Sequence, residues 1–300
     1  MSLRWLGPVA ARLVTLVGIT VATFLLLELA PGDPADLRLG RGSNVAAVAA
    51  LRVELGLGDK APVRYLHWLE HSLRFDFGHS FVDGRPVRVK LAEALPTTLW
   101  LGGLAALFGW GLGVPLGCAL ALARARHRRV AEVVLSLAYA LPTASLALVL
   151  LRAGAPFGDR APAIVTGALC LAVPLWVRIG RHQTAALGTA LASDWARTAR
   201  AIGASRSRVL VRHALRHALL PTVTLLTSEL PVLLSGSVLI EQIFGLRGLG
   251  LLGIDAVLAR DYPVLLGLGT LGAVLTFAGT ALGDLLVRRL DPRLRTLEAT

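Results

Sequence analysis

Long apolar runs alternate along the chain with short arginine-rich breaks. Residues 94–123 hold no charged side chain across 30 positions, and residues 133–151, 161–177 and 262–283 are also free of charge. Residues 13–30 and 218–240 carry one acid each, Glu28 and Glu229. A helix needs roughly 18–20 apolar residues to cross a bilayer. These six runs therefore predict an all-α membrane protein with six transmembrane helices, the run 161–177 sitting at the lower limit of length. A water-soluble core helix shows a polar face, and 30 consecutive uncharged positions leave none. The first run exceeds the roughly 7–15-residue core of a signal peptide. The Ala30-Pro31-Gly32-Asp33-Pro34 that follows it makes a poor cleavage site, so the run reads as a retained span.

The polar stretches divide the chain into a start and first span at 1–30, an insertion at 31–96 and a five-helix core at 97–300. Within the insertion, apolar spacing predicts short helices at 45–55 and 63–75. Pro31-Gly32-Asp33-Pro34 and Asp83-Gly84-Arg85-Pro86 have turn chemistry. Together they predict a small folded cap outside the cell. Residues 124–129 read as a tight basic turn inside, 152–161 as a short outer connection, 241–263 as a Gly-rich outer loop that re-enters the membrane surface, and 288–300 as an inner tail. Pro115, Pro142 and Pro174 lie within spans and predict kinks. Gly109, Gly113 and Gly117 recur every four residues, a spacing that lets helix backbones approach closely, within this chain or against a second one.

Composition agrees: 55% of the 300 residues are apolar and the mean hydropathy is +0.66. The net charge of +12 admits nucleic acid as a partner until its distribution is followed. With an inner amino terminus and alternating spans, 18 of the 31 basic residues and only five of the 19 acids fall inside the cell. That bias follows the positive-inside rule, puts both termini in the cytoplasm and removes the case for nucleic acid. Cys118 and Cys170 fall within spans, without metal spacing, and read as packing residues.

The densest chemistry lies at 194–221. Arg197, Arg200, Arg206, Arg208, Arg212 and Arg216 share that stretch with a single acid, Asp194. Asp194 and Trp195 start a short helix with the carboxylate near its amino end. Gly203 ends it with a positive backbone angle, and a second helix, capped by Ser205 or Ser207, runs over 205–219. Two helices joined at a glycine make a knob parallel to the membrane, which a soluble partner can grip. On charge alone, a loop that only fixes topology or touches anionic lipid explains the stretch as well. Glu229, an ionisable group inside a span, suggests a lining of the translocation path that favours a cation, or else a protonated or salt-bridged structural residue near the bundle interior.

Three further motifs carry less. His67-Trp68-Leu69-Glu70-His71 fits a zinc-protease pattern, but no downstream acidic ligand accompanies it. Gly267-Leu268-Gly269-Thr270-Leu271-Gly272 fits a dinucleotide fingerprint, but inside a span with no preceding strand. His213 and His217, four apart, read as partner contacts. No phosphate loop G-x-x-x-x-G-K-[ST] is present, so an ATPase driving this chain is a separate protein.

In order, Arg197-Thr198-Ala199-Arg200-Ala201, Gly203, Arg212-His213-Ala214-Leu215-Arg216 and Leu219-Leu220-Pro221 resemble the "EAA" loop of ATP-binding-cassette importer permeases of the dipeptide, oligopeptide and nickel type. Ala30-Pro31-Gly32-Asp33-Pro34, Phe77-Gly78-His79-Ser80-Phe81, Leu95-Pro96-Thr97-Thr98-Leu99, Gly236-Ser237-Val238, Glu241, Ile243-Phe244-Gly245, Arg260-Asp261-Tyr262-Pro263-Val264 and Asp291-Pro292-Arg293-Leu294-Arg295 extend the resemblance over most of the chain. It implies a multi-pass subunit of the bacterial inner membrane. It also implies a second related permease, two cytoplasmic ATP-binding subunits, an outer solute-binding protein, and di- or oligopeptide cargo, with nickel or a metal chelate as the alternative. No catalytic residue, cofactor or bound metal is implied. A membrane-embedded zinc protease and a transport-inactive homologue stand as readings of other kinds. The docking residues carried over are Asp194, Arg197, Thr198, Ala199, Arg200, Gly203, Arg206 and Arg212. Three departures stand out: a short connection between the third and fourth spans, Glu229 where a neutral residue is usual, and Ile202 where lysine is usual.

Overall fold

The computed structural model describes residues 6–29, 35, 44–54 and 56–290. The expected Pro31–Pro34 turn, the end of the tail at 291–300 and its Asp291–Arg295 motif lie outside the described residues. The rest is helical, with an isolated bridge between His79 and Pro86 as the only β pairing among the described residues. Three helices, Val87–Leu122, Ala161–Ala192 and Tyr262–Val287, are long and apolar enough to cross a membrane. Counting each of two sharply bent helix pairs as one crossing raises the number to five. The chain divides into two compact units, 1–96 with 247–277 and 97–246 with 278–300.

The first unit begins with α1 (Leu6–Leu29), then α2 (Val45–Glu54) and α3 (Ala61–Ser72), the two short helices that apolar spacing predicts. Glu28 near the end of α1 forms an ion pair with Arg64 on α3. On the same face Thr20 and Tyr65 share a hydrogen bond of 2.9 Å, and Phe24 meets the Tyr65 ring edge-on at 5.4 Å. The start of α4 (Val87–Leu122), α10 (Leu249–Ala259) and the first part of α11 (Tyr262–Leu290) complete the unit. Val87, Leu91, Ala256 and Val264 form its buried core.

A polar knot lies beside that core. The Ser80 hydroxyl donates to the Asp261 carboxylate, which also accepts the Phe81 N–H at 2.9 Å. Lys90 Nζ donates to Ser80 Oγ at 3.1 Å and to Asp83 at 3.0 Å. Burial opposes charge on Asp83. The Lys90 ammonium, the Arg85 N–H and the Ser80 hydroxyl outweigh it and hold the Asp83 carboxyl below its ordinary value. Ser80 and Asp261 are almost wholly buried, so each needs the other's hydrogen bond.

The second unit is organised around α7 (Ala161–Ala192), the most buried of the three long candidate spans. The glycine stripe on α4 packs against it. A Cβ on Gly109 would meet Leu175 at 2.5 Å, one on Gly113 the Trp176 carbonyl at 2.8 Å, and one on Gly117 the Gly180 carbonyl at 2.5 Å. Sequence left the partner of this stripe open; it is α7 of the same chain. Polar groups follow the seam. Thr184 donates to the Gly117 carbonyl at 3.2 Å, and Thr222 donates to Gln183 at 2.6 Å. The cysteines are both free, and Cys118 accepts a long contact of 3.7 Å from Gln183.

Four expectations change here. Residues 133–151 do not form one straight helix but end α5 (Ala125–Ala140) and form α6 (Thr143–Arg152), bent by 82°. Pro142 explains the break: it excludes the α conformation from Leu141, which is extended with ψ 121°. The basic turn at 124–129 is tighter than expected, since α5 already begins at Ala125. The apolar run 161–177 does not end at a loop, because α7 continues through Arg178 to Ala192 with Pro174 inside it. The segment 241–263 is largely helical. α9 (Leu215–Phe244) stops at Gly245 in the left-handed region, and α10 begins at Leu249.

Candidate docking site

The basic stretch folds into the knob that its sequence suggests. α8 (Asp194–Ala201) starts after Ser193 with Asp194 in its first turn. Gly203 follows at φ +89°, a backbone angle that side chains with a Cβ adopt poorly. Ser205 then caps the next helical segment, accepting the Arg208 N–H at 3.4 Å, whereas Ser207 only exchanges a 3.3 Å contact with Ser205. That segment does not end at Leu219. It passes from Arg206–Arg208 through a π-helical stretch, Val209–Ala214, straight into α9 and past Pro221. The Leu215 N–H reaches back five residues to the Leu210 carbonyl, the wide turn of a π-helix.

Small residues fix the knob. Ala196, Ala214 and Ala218 are fully or almost fully buried, as is Leu187 on α7. Trp195 covers their edge with its ring 5.5 Å from His217 and 6.3 Å from His213. His182, Ser193, Trp195, His217 and Pro221 line a groove of about 500 Å³ alongside. The two histidines thus flank a tryptophan whose packing role the sequence did not disclose; spacing alone shows neither ring.

Of the residues expected to meet a partner, Asp194, Arg197, Thr198, Arg200, Gly203 and Arg212 are exposed. Asp194 and Arg197 project outward and form a loose ion pair at 3.5 Å. Thr198 donates to the Asp194 carbonyl at 3.0 Å, Arg200 Nε donates to the Ala196 carbonyl at 3.0 Å, and Ala199 is half-buried between them. Arg212 is exposed on the π-helical stretch, and the Arg206 side chain lies outside the described residues. Two apolar side chains, Ile202 and Val211, stand 81% and 65% exposed at the tip and side. Exposed apolar residues ringed by arginine mark a surface suited to a protein partner.

Glu229 lies on α9, 6% exposed, with its carboxylate paired to the Arg178 guanidinium on α7. The sequence allows a salt-bridged Glu229 but does not name its partner, since Arg178 directly follows the apolar run 161–177 and counts among the inner basic residues. Elsewhere, His67 borders a cavity of about 630 Å³ in the first unit, and His71 faces Asp76 at 3.5 Å. Among the described residues no three His, Cys, Asp or Glu side chains converge as metal ligands.

Comparison with known proteins gives the same family from both ends of the chain. Residues 113–296 match the binding-protein-dependent transport system inner membrane component, and residues 4–102 match the amino-terminal part of a binding-protein-dependent transport system membrane component. The chain is similar to the oligopeptide transport system permease protein AppB of Bacillus subtilis, with 31% identity over 93% of this chain and 95% of that protein. A putative peptide transport system permease of Brucella abortus is 35% identical over 98% of this chain and 99% of its own length. The glutathione transport system permease protein GsiC of Salmonella typhi is 33% identical over 84% and 85%. Among solved structures, the methionine transporter MetNI in an inward-facing conformation superposes with a TM-score of 0.58 at 21% identity, over 67% of this chain and 96% of that one. An amino acid transporter crystallised with histidines gives 0.54 at 20% identity, over 67% and 94%. At that identity these two speak for the fold alone. With both family models and near-full-length relatives in agreement, the chain belongs to the inner-membrane permease components of binding-protein-dependent ATP-binding-cassette importers.

Proposed function

We propose that this chain is one of two permease subunits of an ATP-driven importer that carries di- or oligopeptides across the bacterial inner membrane. The second permease is a related chain, two cytoplasmic ATP-binding subunits supply the energy, and an outer binding protein delivers cargo. In this reading the chain crosses the bilayer six times with both termini inside. Residues 31–96 stand outside, residues 97–300 form the five-helix core, and 194–221 dock an ATPase. The exposed knob around Gly203 carries the proposal. Arg197, Arg200, Arg208, Arg212 and Ile202 face outward, and its base, with Ala214 and Ala218, packs against Leu187 of α7. ATPase closure pushes on the knob, and the push passes into α9 without an intervening loop.

Peptide as cargo is supported by the oligopeptide, peptide and glutathione names of the near-full-length relatives. Uptake tests it in cells with and without the chain, fed labelled dipeptides, longer peptides and radioactive nickel in parallel, with ATP depletion as the control. Loss of ATP-dependent peptide uptake on deletion is the expected result. Loss of nickel uptake alone transfers the chain to metal import, and no change in either, with no redundant system, refutes both.

A further inference from the structure

We propose that Arg178, held in place by Glu229, binds the terminal carboxylate of the peptide as it passes through the membrane. The inference rests on the peptide-import reading and adds to it a residue and the chemical group it recognises.

The placement comes first. Glu229 lies about 17 Å into the apolar run 218–240 at ~1.5 Å per residue, near its middle. Arg178 lies about 26 Å along α7 from Ala161 on the same rise. The two side chains meet although Arg178 starts nearer the inner surface, so the pair lies between mid-membrane and the inner side. Val177 and Ile179, its neighbours on α7, are completely buried. The Glu229 side chain is 8% exposed, so cargo has little access to its oxygens, and Arg178 already occupies one of them. That changes the polarity expected from sequence: a lone Glu229 would favour a cation, whereas the paired site presents a guanidinium.

The guanidinium is only half used. One Nη2 hydrogen bond goes to Glu229, while the buried Nε–H has no acceptor among the described residues. The Arg178 side chain nevertheless remains 39% exposed. A charge at membrane depth is costly against lipid and therefore faces water, cargo or another subunit. An arginine pinned through one nitrogen keeps its remaining donors oriented. Their planar fork matches a carboxylate better than a lysine ammonium does. Every α-peptide with a free carboxyl end carries that group, whatever its side chains, so such a contact selects for peptides without selecting among sequences.

Photolabelling of the whole complex, purified through this chain in lipid discs without binding protein, tests the proposal. The probes are L-alanyl-p-benzoyl-L-phenylalanine and its carboxamide. The free acid should label fragments of α7 or α9 on the order of tenfold more than the amide, the size of one charge-assisted hydrogen bond. Arg178→Gln should abolish that preference, whereas Arg178→Lys and Glu229→Gln, which both keep the cation, should retain much of it. Equal labelling by acid and amide, labelling only elsewhere, or the same loss in Glu229→Gln as in Arg178→Gln overturns the inference and leaves a structural ion pair. If Arg178→Gln does not assemble, Arg178→Lys decides: its failure to assemble places the residue against the second permease and overturns the proposal. Peptide uptake that depends on the chain while labelling is indiscriminate defeats this inference alone. Uptake that never depends on the chain defeats the importer reading instead.

Discussion

Gly117→Ala tests whether the α4–α7 seam holds the second unit together. The new methyl carbon would stand 2.5 Å from the Gly180 carbonyl oxygen and 2.5 Å from Gln183 Cβ. Non-bonded carbon settles at about 3.5–4.0 Å, so the helices must part by roughly 1 Å or bend. Gln183 has nowhere to retreat, being completely buried and tied to Thr222, and the Gly180 oxygen is helix backbone. Overpacking of this kind costs ~1–3 kcal/mol, and alanine's better helix propensity offsets up to about 1 kcal/mol of it. A net loss of about 1–2 kcal/mol follows, with further weakening of the 3.2 Å bond from Thr184 to the Gly117 carbonyl. Gly111→Ala is the matched control, on the same helix with nothing within 4 Å of its would-be Cβ. The assay is the temperature at which the detergent-purified chain loses its monodisperse peak after a heat challenge. At about 2–4 °C per kcal/mol, Gly117→Ala should fall by several degrees and Gly111→Ala should match the parent or exceed it. A Gly117→Ala chain as stable as Gly111→Ala would mean that the two helices do not meet along this stripe.

Further outcomes follow from the polar knot and the knob. Asp261→Ala removes the acceptor of the buried Ser80 hydroxyl and of the Phe81 N–H, a loss of ~1–3 kcal/mol. Limited proteolysis should then cut sooner near Ser80, and Ser80→Ala combined with Asp261→Ala should cost less than the sum of the two. Because the Asp83 carboxyl is held below its ordinary value, its contribution is present above the unfolded pKa of about 3.9 and disappears as pH falls through the lower folded value. Acid titration of local stability should show that loss below about pH 4, and Asp83→Asn should remove it. Gly203→Asp, or joint loss of Arg197 and Arg200, should release the ATP-binding subunits while leaving membrane insertion intact. Undiminished co-purification of those subunits would remove the knob from the interface.

Much of the architecture was legible because membrane helices announce themselves by the absence of charge. α4, α7 and α11 follow directly from their apolar runs, and α2 and α3 from apolar spacing. Gly203 was readable because few other residues accept its backbone angle. What sequence hid were relations between distant positions. The stripe Gly109–Gly113–Gly117 showed close packing but not its partner, since small residues permit an approach without naming who approaches. Arg178 looked like the first residue of a loop because charge counting treats every arginine after an apolar run as outside the membrane. A counter-ion 51 residues away lets it stay within a continuous helix. The break at Leu141–Pro142 was anticipated as a kink, but a bend of 82° depends on where α6 finds its own contacts.

The π-helical stretch has a geometric effect on everything beyond it. Its wider winding places one extra residue in the passage from Ser205 to α9. Rewinding the same six residues as an α-helix, with each N–H reaching back four residues instead of five, would turn the segment beyond them by about 100°. Such a turn would carry Glu229 off the face that meets Arg178 and bring a different side chain of α9 to the guanidinium. The six residues from Val209 to Ala214 therefore set the phase of α9, fixing which of its faces answers α7 far from the knob itself.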